Sequence, residues 1–278
     1  MKTWFITGAS RGFGARTAAV ALAQGDNVVA TARDPSAVLE RLGEHPRLLP
    51  LALDVTDEAQ ARRAAAAAVA NFGAIDVLLN NAGFGLLGAV EEASAEEVKR
   101  VYRTNVFGLL NVTRAALPYM RARRVGRILN ISSIGGYRGA AGFGVYASTK
   151  FAVEGLSEAL HVELAPLGIH VTAIEPGYFR TDFLDSTSLA ISAARIDDYS
   201  GSAGAVRTRA VDLNHAQQGD PDKLARVLVA FADAPDPPVR LPLGSDTVAA
   251  IEAKHALDAA ILAAWRDVSV STDFTPED

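Results

Sequence analysis

Tyr146 and Lys150 stand four residues apart in "YASTK", where a small-residue loop gives way to a helical pattern. At that spacing the two side chains share one helical face. A free phenol titrates near 10 and is a poor acid at neutral pH. A cation beside it stabilises the phenolate and brings that value down. Lowering it by about 3 units takes roughly 4 kcal/mol of preferential stabilisation. The pair is therefore a candidate for proton transfer to a carbonyl oxygen, or from an alcohol in reverse. The same spacing also describes a packing tyrosine with a solvated hydroxyl. The surrounding elements must decide between the two.

Those elements alternate. Short apolar runs occur at "KTWFITG" (from 2), "NVVATAR" (from 27), "RLLPLALDV" (from 47), "DVLLNNAG" (from 76), "GRILNISS" (from 126), "IHVTAIEPG" (from 169) and "PVRLPLG" (from 238). Most are continuously apolar, as strands covered on both faces are. Between them lie helical patterns, at about 12–24, after Thr56 and Asp57, from the "SAEE" capping box at 94–97, at 146–165, 222–234 and 246–265. The repeated strand–helix order predicts an α/β, doubly wound parallel sheet of about seven strands with helices on both faces. No linker divides the chain, so a single domain is expected over 1–278. Residues 180–215 break the rhythm after the sixth strand and are placed to be a substrate lid. A helical extension is expected over about 245–278, with "SVSTDFTPED" frayed or loosely packed at its end.

The first strand runs into "TGASRGFG", with Gly8, Gly12 and Gly14. Glycines there permit a tight strand-to-helix turn and let backbone N–H groups approach a diphosphate. The helix N-terminus then faces the anion. At the end of the second strand, where NAD enzymes carry an acid for the ribose hydroxyls, the chain has Ala32 followed by Arg33. With Arg11 in the glycine loop, two guanidiniums are available for a 2′-phosphate. NADP(H) is the expected cofactor.

Composition excludes other classes. The chain is 49% hydrophobic and 21% charged, which suits a globular protein. A net charge of -5 without a long basic run argues against nucleic acid or an anionic membrane as partner. There is no cysteine, hence no disulfide or thiolate chemistry. The five histidines have no metal-ligand spacing, so no metal is expected. The opening "TWFITGAS" has no leader pattern, and a cytoplasmic location is expected.

In their order and spacing these motifs resemble the short-chain dehydrogenase/reductase family, in its single-domain branch, over nearly the whole chain. The resemblance implies a Rossmann-like fold. It implies that Ser10, Arg11 and Phe13 belong to the cofactor loop, and that "LDVTD" brings Asp54 and Val55 to the adenine. "NNAG" gives Asn81, Ala82 and Gly83 along the cofactor, and "PGYFRT" gives Pro176, Gly177, Phe179 and Thr181 at the nicotinamide carboxamide. Asn105, Ser133, Tyr146 and Lys150 are the implied catalytic tetrad. Of Ser132 and Ser133, the thirteen-residue interval to Tyr146 selects Ser133. Ser133 is implied to polarise the substrate oxygen, Lys150 to hold the ribose, and Asn105 to anchor a water linking Lys150 to solvent.

The expected activity is reversible, NADPH-dependent reduction of a ketone or aldehyde. Phe179, Phe183, Leu184, Leu189, Ile191 and Ile196 of the lid, with "AAGFGVY" at 140–146 opposite, suit a largely apolar substrate. Alternatives are a 3-oxoacyl-carrier-protein reductase-like enzyme, an epimerase or dehydratase of the extended branch, and a non-catalytic NADP-binding regulatory protein. The family implies a homodimer or homotetramer, through the helices near 94–120 and 146–165 and through the seventh strand.

Overall fold

Alternate side chains of the central strands enter separate cores. Trp4 and Ile6 of β1 (Thr3–Thr7) point into one, and Phe5 into the other. In β4 (Val77–Asn80), Val77 and Leu79 join the first and Leu78 the second. Both sheet faces are thus covered, which is why these strands are apolar without alternation. The computed structural model describes residues 1–274.

The main sheet is parallel, in the order β3-β2-β1-β4-β6-β7-β9. Its other members are β2 (Asn27–Ala32), β3 (Leu48–Ala52), β6 (Gly126–Ile131), β7 (Ile169–Pro176) and β9 (Arg240–Leu243). Helices α1 (Gly12–Ala23), α2 (Ser36–Leu42) and α8 (Pro221–Phe231) close the first core. Helices α3 (Glu58–Phe72), α5 (Leu109–Arg123) and α6 (Gly144–Leu164) close the second. The expected Rossmann-like sheet of seven strands is borne out. The chain leaves β1 for β2 and β3 on one side, then returns to β4 on the other. The switch point of the topology, where ligands bind in such sheets, lies between β1 and β4.

Local chemistry sets the helix starts. The Asp57 carboxylate accepts the Gln60 N–H at the start of α3. Ser94 and Glu97 form the full capping box of α4 (Ala95–Tyr102). Over Arg103–Gly108 the helix widens into a π turn before α5. A Cβ on Gly108 would lie 2.6 Å from Val55 Cγ2, so glycine lets this turn approach the end of β3.

Three features differ from the sequence expectation. Helix α2 carries no strong pattern and was not anticipated. Within 180–215 the chain forms β8 (Leu189–Ile191), paired in parallel with β5 (Gly85–Leu87), and α7 (Ala205–Leu213). At the other end α9 spans Ser245–Val270, so it takes in the first residues of the expected frayed tail. Residues 275–278 of that tail lie outside the described residues.

Candidate active site

A cavity of about 590 Å³ opens at the carboxyl ends of the strands, over the switch point. That size is ordinary for a small-molecule site. Asn81 joins the two loops beneath it, its amide donating to Thr7 O at 2.8 Å and Gly8 O at 3.0 Å. Gly8 and Gly12 have φ of +64° and +56°, left-handed values that favour glycine. A Cβ on Gly14 would lie 2.5 Å from Gly8 O, whereas one on Gly12 would meet nothing within 4 Å. The loop is packed below and open above, a cradle that fits a dinucleotide diphosphate at the start of α1.

Ser10, Arg11, Gly12, Phe13, Arg33, Asp54 and Val55 line the cavity with Gly8, as do Asn81, Ala82, Gly83, Pro176, Gly177, Phe179 and Thr181. Gly14 lies beneath the loop. Arg33 is exposed at the end of β2, with no hydrogen-bond partner for its guanidinium among the described residues. Arg11 differs from the expected phosphate clamp. Its guanidinium donates to Thr187 O of the lid at 2.7 Å, because the lid folds back within its reach. The Asp54 carboxylate accepts from Thr56 N–H and Oγ1–H, which fixes it at the cavity edge.

Helix α6 carries Tyr146 and Lys150, both buried, into the cavity wall. Lys150 Nζ donates to Ile131 O at 2.8 Å and lies 5.7 Å from the centre of the Tyr146 ring. Ser133, at the end of β6, also lines the cavity and accepts the Gly135 N–H. Burial pushes the Tyr146 phenol above its usual value, and the Ser133 hydroxyl only partly opposes this. The expected lowering by Lys150 is not seen. The phenol is desolvated, while the ammonium is turned toward a carbonyl. Lys150 itself is lowered to about 8 by burial, with the Glu154 charge opposing. The site thus holds Tyr146 as a protonated acid.

Asn105 lies outside the cavity. Its amide donates to Phe84 O at 3.0 Å and Thr149 Oγ1 at 3.1 Å, and its Oδ1 accepts the Phe84 N–H at 3.1 Å. Its side chain therefore fixes the segment after "NNAG" against α6.

A model of the family described as short chain dehydrogenase matches residues 2–191. The chain belongs to the short-chain dehydrogenases. Members are oxidoreductases that bind nicotinamide cofactors. The chain is 40% identical to a solved short-chain dehydrogenase of Streptomyces avermitilis, with a TM-score of 0.91 over 98% of this chain and 100% of that one. It is 40% identical to the 3-ketodihydrosphingosine reductase of Bacteroides thetaiotaomicron over 86% of each chain. The 3-ketoacyl-(acyl-carrier-protein) reductase of Brucella melitensis, solved with NADH, is 30% identical, with a TM-score of 0.73 over 87% of this chain and 96% of that one.

In this short-chain dehydrogenase, two supporting residues were missed in the sequence. Asp246, in the first turn of α9, accepts the Tyr178 N–H at 2.7 Å, and a Cβ on Gly177 would lie 2.2 Å from its Oδ1. It fixes the segment between Pro176 and Thr181. In sequence it was an ordinary helix-start acid. Glu92 holds the lid, bonding Arg207 Nη1 at 2.5 Å and the Ile196 N–H at 3.1 Å. Nothing local marks it among neighbouring acids. Phe183, Leu184 and Asp182 of the lid line the cavity, as does Phe143 opposite. Leu189 and Ile191, in β8 against β5, do not, and neither does Ile196 beyond that strand. Among the described residues no helix is long and apolar enough to cross a membrane, and no acidic or histidine group could hold a metal.

Proposed function

We propose that this short-chain dehydrogenase reduces a ketone or aldehyde to an alcohol with NADPH, reversibly, with Tyr146 as the proton donor. The observation that carries the reading is the buried Tyr146–Lys150 pair beside Ser133, in a cavity that continues into the glycine cradle. Bound along Gly8–Gly14, the reduced dinucleotide supplies hydride. Ser133 donates a hydrogen bond to the substrate oxygen as charge develops there. Tyr146 gives that oxygen its proton. Burial raises the phenol above its usual value, so Tyr146 is protonated at neutral pH and available as the donor for reduction.

The preference for NADPH rests on Arg33, exposed just past β2, where Ala32 takes the place of the acid that NAD enzymes carry. The substrate is a largely apolar carbonyl compound, which Phe143, Phe183 and Leu184 would cover. Its ketone-reducing relative from Bacteroides supports a long-chain 3-ketone first, and the Brucella relative supports a 3-oxoacyl thioester as the second reading. The proposed assembly is a homodimer or homotetramer, through helix faces that expose Phe107 and Phe151.

The test follows nucleotide absorbance with a panel of ketones, aldehydes and 3-oxoacyl thioesters. Tyr146→Phe is expected to lose at least about 100-fold in kcat while still binding NADPH. Arg33→Ala is expected to weaken NADPH by roughly tenfold or more and leave NADH unchanged. An active Phe variant would refute the proton-donor role. NADH preferred by the wild type would refute the cofactor assignment alone.

A further inference from the structure

Ser133 and Tyr146 have to meet at one substrate oxygen, yet they belong to different elements. Ser133 caps the 3₁₀ turn Ile134–Gly136 that follows β6, whereas Tyr146 lies in the first turn of α6. Residues 138–141, which connect the two, are exposed, so the link along the chain does little to set their distance. Contacts across the gap set it instead. Gly136 is buried against α6, where a Cβ would lie 3.0 Å from Lys150 O, 3.0 Å from Glu154 Cγ and 2.6 Å from Ser132 Oγ. Glycine thus seats the turn directly on the helix.

The next residue is tied to the same helix through a cation. The Tyr137 ring lies 5.2 Å from the guanidinium of Arg240 in β9. Arg240 in turn reaches α6, with Nη2 2.9 Å from Glu158 Oε1 and Nε 3.4 Å from Glu154 Oε2. Its Nε also lies 3.8 Å from Oε1 of Glu175 in β7. Glu154 and Glu175 are buried and meet the guanidinium one helical turn behind Lys150. The carboxyls hold the cation by its charge and leave its planar face to the ring. On its other side Tyr137 is backed by α9, where His255 meets the Tyr137 hydroxyl and sets its ring edge-on at 5.5 Å. Tyr146, Lys150, Glu154 and Glu158 recur every four residues and share one face of α6. The face that carries the proton donor therefore holds, through Arg240, the residue four places after Ser133.

We propose that Arg240 and Tyr137 form a clamp that sets Ser133 against Tyr146, so that both reach the same carbonyl oxygen. The inference rests on the reading of Ser133 and Tyr146 as the groups that polarise and protonate that oxygen. The turn transmits the position of the ring. Ser133 Oγ accepts the Gly135 N–H at 3.0 Å, Ser133 O accepts the Gly136 N–H at 2.8 Å, and Ile134 O accepts the Tyr137 N–H at 3.1 Å. A displaced Tyr137 thus carries Ser133 with it. A donor moved off its aim stabilises the charge that develops in the transition state less, with little change in ground-state binding. Neither Tyr137 nor Arg240 lines the cavity, and both are positioning residues.

The test measures kcat and KM with NADPH and the panel carbonyl compound that the wild type reduces best, and NADPH binding by nucleotide fluorescence. Tyr137→Ala is expected to lower kcat about tenfold and to leave KM and the NADPH dissociation constant within about twofold. Tyr137→Phe keeps the ring over Arg240 and is expected to lose no more than about threefold. In a Ser133→Ala background, Tyr137→Ala is expected to cost less than about twofold, because the group it positions is gone. Wild-type kcat in Tyr137→Ala overturns the proposal, as does a loss confined to KM. A Phe variant as slow as the Ala variant overturns it too, since the ring on Arg240 would then be irrelevant. The same tenfold loss with and without Ser133 means a general loosening of the fold and is equally fatal. Should Tyr137→Ala fail to fold, Arg240→Lys keeps a charge for Glu154 and Glu175 but offers no planar face. It is expected to show the same fall in kcat and the same dependence on Ser133, and an unmoved kcat there sinks the clamp. Full activity in Ser133→Ala would remove the role of Ser133 and the clamp together. A slow Ser133→Ala beside a Tyr137→Ala of wild-type kcat would remove the clamp alone.

Discussion

At the residue scale, the site depends on side chains placed to hold others. Asp246 neither enters the cavity wall nor carries chemistry, yet its carboxylate fixes the Tyr178 N–H and crowds Gly177. A hydrogen bond to a charged acceptor is worth about 1.5 kcal/mol or more, roughly a factor of ten. Asp246→Ala is expected to raise the dissociation constant for the dinucleotide about tenfold, measured by nucleotide fluorescence, with kcat less affected. Glu175 makes a second prediction, for stability. A carboxyl raised from 4.5 to about 8 favours the folded state fully below pH 4.5 and loses that contribution as pH rises through 8. Lys150, lowered from 10.5 to about 8, has the opposite slope above pH 8. The Tm of the wild type is therefore expected to fall more steeply between pH 5 and 8 than that of Glu175→Gln. Parallel curves in thermal melts would contradict this.

At the element scale, the segment after β7 is an ordered cover tied to the body at separate points. Strand β8 pairs with β5, and a Cβ on Gly85 would lie 2.7 Å from Leu189 Cδ1, so glycine lets the two strands close up. Glu92 receives Arg207 and the Ile196 N–H, Glu97 receives the Ala193 N–H, and Tyr199 donates to Glu91. Hydrogen bonds from Arg207 and Ala89 hold the Glu92 carboxyl down at about 2. Its contribution is present above pH 4.5 and lost as pH falls toward 2. Glu92→Gln is expected to expose the segment to protease at neutral pH, with cleavage between residues 193 and 214, as acid does to the wild type. Equal cleavage rates in variant and wild type at pH 7 would show that Glu92 is not the latch.

At the scale of the whole molecule, α9 divides in two. Its first turns pack on the body through Thr247, Ala250 and His255. From Leu257 onward every described residue is exposed, Trp265 at 62%. Few contacts are therefore at stake there. Ending the chain after residue 256 is expected to change Tm by no more than about 3 °C and to leave nucleotide binding intact, while solubility rises. A large fall in Tm in calorimetry would mean that the outer helix is part of the folded core. The sequence by itself determined the strand–helix alternation, the glycine cradle and the Tyr146–Lys150 stripe. Each is written in local spacing, which a strand of period two or a helix of 3.6 converts directly into shared faces. Only the tertiary structure decided that Arg11 meets the lid and that Asn105 holds Phe84. It likewise decided that Asp246 supports Gly177 and that Glu154, Glu175 and Arg240 meet behind Lys150. Those contacts join residues from separate elements, and the register of β7 with β9 and the packing of α6 on the sheet set them. No local pattern encodes either.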